Sequence, residues 1–160
     1  MNMKLTMGRT CGQCTACCKA LGVRELAKPP GMWCQHCSIG EGCVIYARKP
    51  LSCHEFQCEW LKGFGEVRDR PDKTKVILDY VNHHEGLPEG ILQIWELDEG
   101  SLANEYVKKM TLAVLGSGIW VSHIPLHGHI KRIFVPRSRR VSQEIAEALA
   151  QEEITVADWP

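Results

Sequence analysis

The sequence predicts an α+β protein in which a small, irregular, cysteine-rich module packs with an antiparallel sheet and helices. Two observations lead to this class. All nine cysteines fall between Cys11 and Cys58. The remainder of the chain alternates β-branched segments with segments of helical spacing. We therefore divide the chain into a cysteine module at 1–61, a polar linker at 62–73 and a small α+β domain at 74–160.

The α+β domain contains the regular elements. Segments rich in β-branched residues predict strands at 74–82, 91–97, 119–124 and 129–135. Helical spacing predicts one helix at 101–115, capped by Ser101, and another at 142–151. The residues that we expect to face the core are Leu102, Tyr106, Met110 and either Leu112 or Val114 in the first helix, and Ile145, Ala148 and Leu149 in the second. This order of elements is typical of a small domain with an antiparallel sheet.

The cysteines are grouped closely, at Cys11, Cys14, Cys17, Cys18, Cys34, Cys37, Cys43, Cys53 and Cys58. Gaps of two residues bring both sulfurs to one ion, whereas so short a loop closes poorly as a disulfide. The first ten residues lack the apolar region of a secretory signal, so we expect a cytoplasmic, reduced protein. Clustered thiols in that compartment bind metal more often than they form disulfides. The sequence therefore predicts a metal-binding module.

The spacing of the thiols is compatible with two cofactors, zinc and an iron–sulfur cluster. Cys34 and Cys37 form a knuckle of the kind that supplies two ligands to tetrahedral zinc. The run Cys11, Cys14 and Cys17 matches the first three ligands of the ferredoxin pattern. Thiolate ligands argue against calcium and magnesium. We favour zinc, with an oxidoreductase or electron-transfer iron–sulfur protein as the alternative.

The adjacent pair Cys17 and Cys18 bears on the number of ions. Neighbouring side chains usually diverge, so we expect the two sulfurs to serve different ions or one of them to bridge, and we predict more than one ion. Cys18 as a small buried apolar residue is the alternative. His36 and His54 are further candidate ligands, less favoured than the thiols around them.

The cysteine pattern is similar to a known family. Its motifs are Cys11-Gly-Gln-Cys14-Thr-Ala-Cys17-Cys18, the pair Cys34 and Cys37, and the segment 42–60 with Tyr46, Arg48, Pro50 and Phe56. They resemble the YkgJ-type cysteine-cluster family, described as zinc- or iron-chelating proteins. The resemblance covers about residues 11–61. It implies metal binding by all nine cysteines and implies no particular reaction.

Other functions receive less support from the sequence. The net charge is zero, and non-specific nucleic-acid binding needs a surplus of positive charge. A zinc-ribbon-like interaction module is therefore a lesser alternative, and a protein partner stays open. Three histidines lie close together in the sequence, at His123, His127 and His129. This grouping indicates either a second site, for metal binding or acid–base chemistry, or an exposed turn. No segment is long and apolar enough to cross a membrane, and no catalytic motif identifies a reaction.

Overall fold

The computed structural model describes residues 8–83, 90–126 and 131–159. Its helices are α1 (Ala16–Ala20), α2 (Leu51–Glu55), α3 (Pro71–Thr74), α4 (Glu105–Gly116) and α5 (Gln143–Gln151). Its strands are β1 (Cys37–Ser38), β2 (Gly42–Cys43), β3 (Val76–Val81), β4 (Ile91–Glu96), β5 (Trp120–Ile124), β6 (Lys131–Phe134) and β7 (Ile154–Ala157). Single 3₁₀ turns lie at Arg24–Leu26, Tyr46–Arg48, Val67–Asp69 and Ser101–Ala103. The predicted α+β class is confirmed.

The larger sheet is mixed, with strands in the order β3-β4-β5-β6-β7. Pairs β3–β4 and β5–β6 are antiparallel, whereas β4–β5 and β6–β7 are parallel. The prediction of an antiparallel sheet is therefore wrong for these five strands. The reason is that α4 and α5 serve as crossover connections, which return the chain to the same end of the sheet and make the next strand parallel. The only purely antiparallel sheet among the described residues is the small pair β1–β2.

One face of the mixed sheet is covered by α4. Alternate residues of β3 and β4 form this face, because successive side chains of a strand point to opposite sides. Their cluster comprises Val76, Leu78, Leu92 and Ile94 from the two strands, with Val107, Tyr106, Met110 and Leu102 from the helical segment. The predicted inward face of the helix is confirmed.

The start of α4 differs from the prediction by one turn. Asn104, rather than Ser101, is the N-cap: its side chain accepts a hydrogen bond from the Val107 N–H at 2.8 Å and donates one to the Thr74 carbonyl at 2.9 Å. Ser101 begins the preceding 3₁₀ turn instead, and its hydroxyl donates to the Lys75 carbonyl. Because Asn104 satisfies an otherwise free backbone donor, the α-helix begins there.

The opposite face of the sheet is shared between two neighbours. Over one half lies α5, whose Ile145 and Leu149 pack on Ile91, Trp120 and Ile133. Ala148, predicted to face inward, is exposed. Over the other half lies the cysteine module, whose contacts with the sheet form one cluster of Ala16, Ala20, Ile77, Leu97, Trp95, Leu21 and Phe56 together with Cys14, Cys17 and Cys58.

The predicted linker at 62–73 contains two short helical turns, Val67–Asp69 and the start of α3. Arg9 holds the start of this linker in place, because its guanidinium donates hydrogen bonds to the carbonyls of Trp60, Phe64 and Gly65. This linker is therefore ordered by contacts with the module. None of the helices within the described ranges has the length and apolarity that crossing a bilayer requires.

Candidate metal centre

The cysteine module is built from elements of two to five residues, held together by backbone hydrogen bonds. Helix α1 carries Cys17 and Cys18 and rests on the sheet through its alanines. The Cys34 N–H donates to the Cys18 carbonyl at 2.9 Å, and the Cys37 N–H donates to the Cys34 carbonyl at 3.0 Å. The predicted knuckle is therefore tied directly to the helix that carries the adjacent cysteines.

The remaining thiols are placed by turns around this pair. The Cys14 N–H donates to the Cys11 carbonyl at 2.8 Å, which closes a tight turn at the first two cysteines. Strands β1 and β2 pair Cys37 with Cys43 across the small sheet. Helix α2 carries Cys53 and ends at Glu55, and Cys58 lies in the extended segment that follows.

These elements and the mixed sheet enclose a cavity of about 640 Å³. All nine cysteines are free thiols of intermediate exposure. Eight of them line the cavity, namely Cys11, Cys14, Cys17, Cys18, Cys34, Cys43, Cys53 and Cys58. The ninth, Cys37, connects to this group through a hydrogen bond between its side chain and that of Cys18. Residues that are far apart in the sequence are thus brought to one site.

The adjacent pair behaves differently from the expectation that its side chains diverge. Hydrogen bonding from the Cys18 thiol lowers the pKa of Cys17 to about 7, and the same bond raises the pKa of Cys18. Both residues lie on the five-residue helix α1 and line the same cavity. Cys17 is therefore the thiol of this pair that ionises first.

For most of the other thiols, burial raises the pKa, whereas hydrogen bonding lowers that of Cys17. Burial raises the pKa of Cys11, Cys14, Cys37, Cys53 and Cys58, and that of Cys58 reaches about 11. A bound cation reverses this preference, since metal ions bind the deprotonated thiolate. In the metal-free state, therefore, these buried sulfurs are mainly protonated at neutral pH.

Two lysines supply positive charge beside the thiols. Lys28 is buried, and its Nζ donates hydrogen bonds to the carbonyls of Lys19, Leu21 and Pro29. Burial lowers the pKa of Lys28, whereas the nearby sulfurs, first among them that of Cys34, act against this shift. Lys49 lines the cavity and favours the charged form of Cys17. Both lysines therefore offset part of the negative charge of a thiolate cluster.

The donor chemistry of this site fits zinc or an iron–sulfur cluster, both of which take thiolate ligands. Among residues 8–83, 90–126 and 131–159, no three His, Cys, Asp or Glu side chains are already arranged to hold one ion. The thiols share a cavity but are not preassembled around a metal position. Binding would require their side chains to close inward.

The histidines occupy different surroundings. His54 lines the cavity, whereas His36 is not part of its lining. His123 is buried in β5, where its Nε2 lies 2.9 Å from the Thr111 hydroxyl oxygen. Burial and the charge of Arg132 lower its pKa to about 4. His123 is thus a core residue of the sheet, and the other two members of the predicted cluster, His127 and His129, lie outside the described residues.

The sheet contributes residues that the sequence did not single out. Ile77, Asp79 and Trp95 line the cavity from the mixed sheet. Ile77 and Asp79 alternate along β3 and share a face, and Trp95 is paired with Ile77 in the register of β4. The sequence signal that could have identified Asp79 is its position two residues after Ile77 in a strand, which places a charged side chain on the same face as a core residue.

No family model, curated protein or solved structure matches this chain. The arrangement of thiols over a mixed sheet is therefore the observation on which a functional proposal rests.

Proposed function

We propose that this protein holds zinc, as more than one ion, through its clustered cysteine thiolates, and that the metal is mainly structural or stored. The observation that carries the proposal is the placement of eight thiols on the walls of one cavity. Soft thiolate ligands select zinc and iron–sulfur clusters over calcium and magnesium. The proposal places the protein in the cytoplasm, where such thiols remain reduced.

The number of thiols supports more than one ion. Four thiolates complete a closed tetrahedral zinc site, and this module has nine cysteines. Cys18 interacts with both Cys17 and Cys37, so it is the best placed sulfur to bridge two ions. The resemblance to the YkgJ-type family supports the same set of ligands.

The build of the module supports a structural role for the metal. Its helices have at most five residues and its strands two. Isolated elements of this length are unstable in water, and the module buries few large apolar side chains. Structural zinc contributes on the order of 10 kcal/mol of folding free energy in small domains. That contribution is large enough to hold this module together.

An iron–sulfur cluster is the second candidate. Cys11, Cys14 and Cys17 have the spacing of ferredoxin ligands and line the same cavity. In that case the protein would be an electron carrier or oxidoreductase. A zinc-ribbon-like interaction module is a third candidate, and it would show salt-dependent binding to its partner.

Metal analysis of protein purified without oxygen tests these candidates together. We expect a colourless protein with more than one zinc ion per chain by elemental analysis. A brown protein with iron and acid-labile sulfide would support the iron–sulfur alternative and overturn the zinc proposal. Less than one metal ion per chain, after growth with added zinc and iron, would overturn both.

A further inference from the structure

The cavity is larger than metal ions require. Its volume of about 640 Å³ lies within the range of roughly 300–1,000 Å³ that is typical of small-molecule sites. A metal ion occupies less space than a water molecule, whose share of liquid volume is about 30 Å³. The thiols would close around their ions and occupy part of this volume, whereas the wall formed by Ile77, Asp79 and Trp95 belongs to the mixed sheet and would stay in place.

The walls on that side are mainly apolar. Ile77 and Trp95 face the cavity from paired positions of β3 and β4. Phe56 and Leu61 approach from the module and line the same space. Aromatic and aliphatic walls of this kind bind the apolar body of an organic molecule.

Asp79 places a single carboxylate in this apolar surface. It is partly buried, and within the described part of the chain no N–H or O–H group donates a hydrogen bond to it. The charged groups near it are Lys62 and Glu59. The Lys62 ammonium is engaged by Glu59, whose Oε1 lies 2.7 Å away and also accepts a bond from the Tyr80 N–H. The carboxylate of Asp79 therefore faces the cavity without a donor of its own.

A carboxylate in such a position favours a cationic donor. A partly buried acceptor gains most from a charged hydrogen-bond partner. Burial raises the pKa of Asp79, the charge of Lys62 acts against this shift, and the charge of Glu59 adds to it. The thiols on the other walls add negative charge once they ionise. An anionic ligand would be repelled by the Asp79 carboxylate, and a neutral ligand would leave that carboxylate without an opposite charge.

We propose that the sheet side of this cavity binds an organic ammonium ion with an apolar or aromatic body. The ammonium group donates hydrogen bonds to Asp79, and the body packs against Ile77, Trp95 and Phe56. This binding site goes beyond the proposed metal function, because the sheet provides its walls and the thiols do not provide its specificity.

Isothermal titration of the full chain, as isolated, with three probes of matched size tests the proposal. The probes are phenethylamine, phenethyl alcohol and hydrocinnamate, which carry a cationic, a neutral and an anionic group. We expect phenethylamine to bind about tenfold more tightly than the alcohol, as a charge-assisted hydrogen bond implies, and hydrocinnamate to bind most weakly. The substitution Asp79→Asn removes the charge at constant shape and should abolish the preference. Asp158→Asn, at an exposed carboxylate near the end of the chain, is the matched control and should keep it.

Equal affinities for the three probes, or no binding of any, would overturn the proposal even if Asp79→Asn fails to fold. A preference for phenethylamine that survives in a folded Asp79→Asn protein would also overturn it. Metal content is measured on each sample. A protein that contains no metal but prefers the amine would contradict the metal proposal and support this one. A protein that contains metal but shows no preference for the amine would support the metal proposal and contradict this one.

Discussion

Ile91, Ile94 and Val107 in the α+β domain are completely buried, whereas Ile39 and Val44 in the cysteine module are 62% and 69% exposed. The domain has strands of four to six residues and a helix of twelve. The module has helices of five residues or fewer. This contrast teaches that apolar burial can account for the order of the sheet. The module has less apolar burial, and the metal binding that we propose would supply the free energy that it lacks.

Removal of bound metal should have the largest effect, because it should destabilise the cysteine module and leave the mixed sheet folded. After treatment with a strong chelator under reducing conditions, we expect residues 11–61 to lose protection from hydrogen exchange, because metal contributes on the order of 10 kcal/mol to such modules. The strands β3 to β7 should keep theirs. Hydrogen exchange read by mass spectrometry measures both regions at once. Unchanged protection of 11–61 in fully metal-free protein would contradict the contrast.

Truncation of one isoleucine in each region should give the next largest difference. Ile94→Ala leaves a cavity in the core of the sheet, and we expect it to lower the free energy of unfolding by about 2–5 kcal/mol. Ile39→Ala is the matched control in the module, where exposure limits the loss to about 0.5 kcal/mol. Urea unfolding followed by circular dichroism gives both values. Comparable losses at the two positions would mean that the module also depends on apolar packing.

Acid should weaken the sheet through His123. Its pKa is about 4 in the fold, below the ordinary value of 6.5, so the folded state favours the neutral ring. The stabilisation is fully present above pH 6.5 and is lost as the pH falls toward 4. The loss amounts to about 3 kcal/mol for a shift of this size.

Urea unfolding at pH 7.5 and pH 4.5 measures this loss, with residues 120–134 monitored by hydrogen exchange to separate the sheet from acid release of metal. The variant His123→Gln lacks the titrating ring and should show a smaller difference between the two conditions. An equal pH dependence in the variant would assign the effect to other groups.

Replacement of Lys28 should give the smallest of these effects and should be confined to the module. Lys28→Met removes the donor for three carbonyl groups and a positive charge beside the thiols. We expect a loss of about 1–3 kcal/mol and weaker zinc binding in competition with a chromogenic chelator. Lys109→Met, on the exposed side of α4, is the control and should change neither quantity. A loss of stability without any change in zinc affinity would limit Lys28 to a structural role.

The sequence allowed the helices of the domain to be predicted because their apolar spacing is regular. The inward face of α4, with Tyr106 and Met110, follows directly from a period of 3.6 residues. The parallel pairing of β4 with β5 did not follow, since strand direction depends on how α4 crosses the sheet. Strand β7 was also missed, because Ile154–Ala157 is too short to show a clear alternation.

The cysteines that line the candidate site could be singled out from the sequence, whereas the shape of the cavity could not. The clustering of nine cysteines can be read from the sequence. That Cys17 and Cys18 line the same cavity depends on how the short helix α1 packs in the fold. The position of Asp79 depends on the packing of the module against the sheet. No local pattern encodes that contact.

The alanines of α1 have a consequence for how this chain can vary. Ala16 and Ala20 are each 2% exposed and pack against Ile77 of β3 and Leu97, the residue after β4. Any larger side chain at either position would lift the helix, and with it the adjacent thiols, away from the other cysteines. The two alanine methyl groups thus set the distance between the thiols of α1 and the sheet. The arrangement of the thiols, and with it the metal binding that we propose, can therefore be altered by a substitution that leaves every cysteine in place.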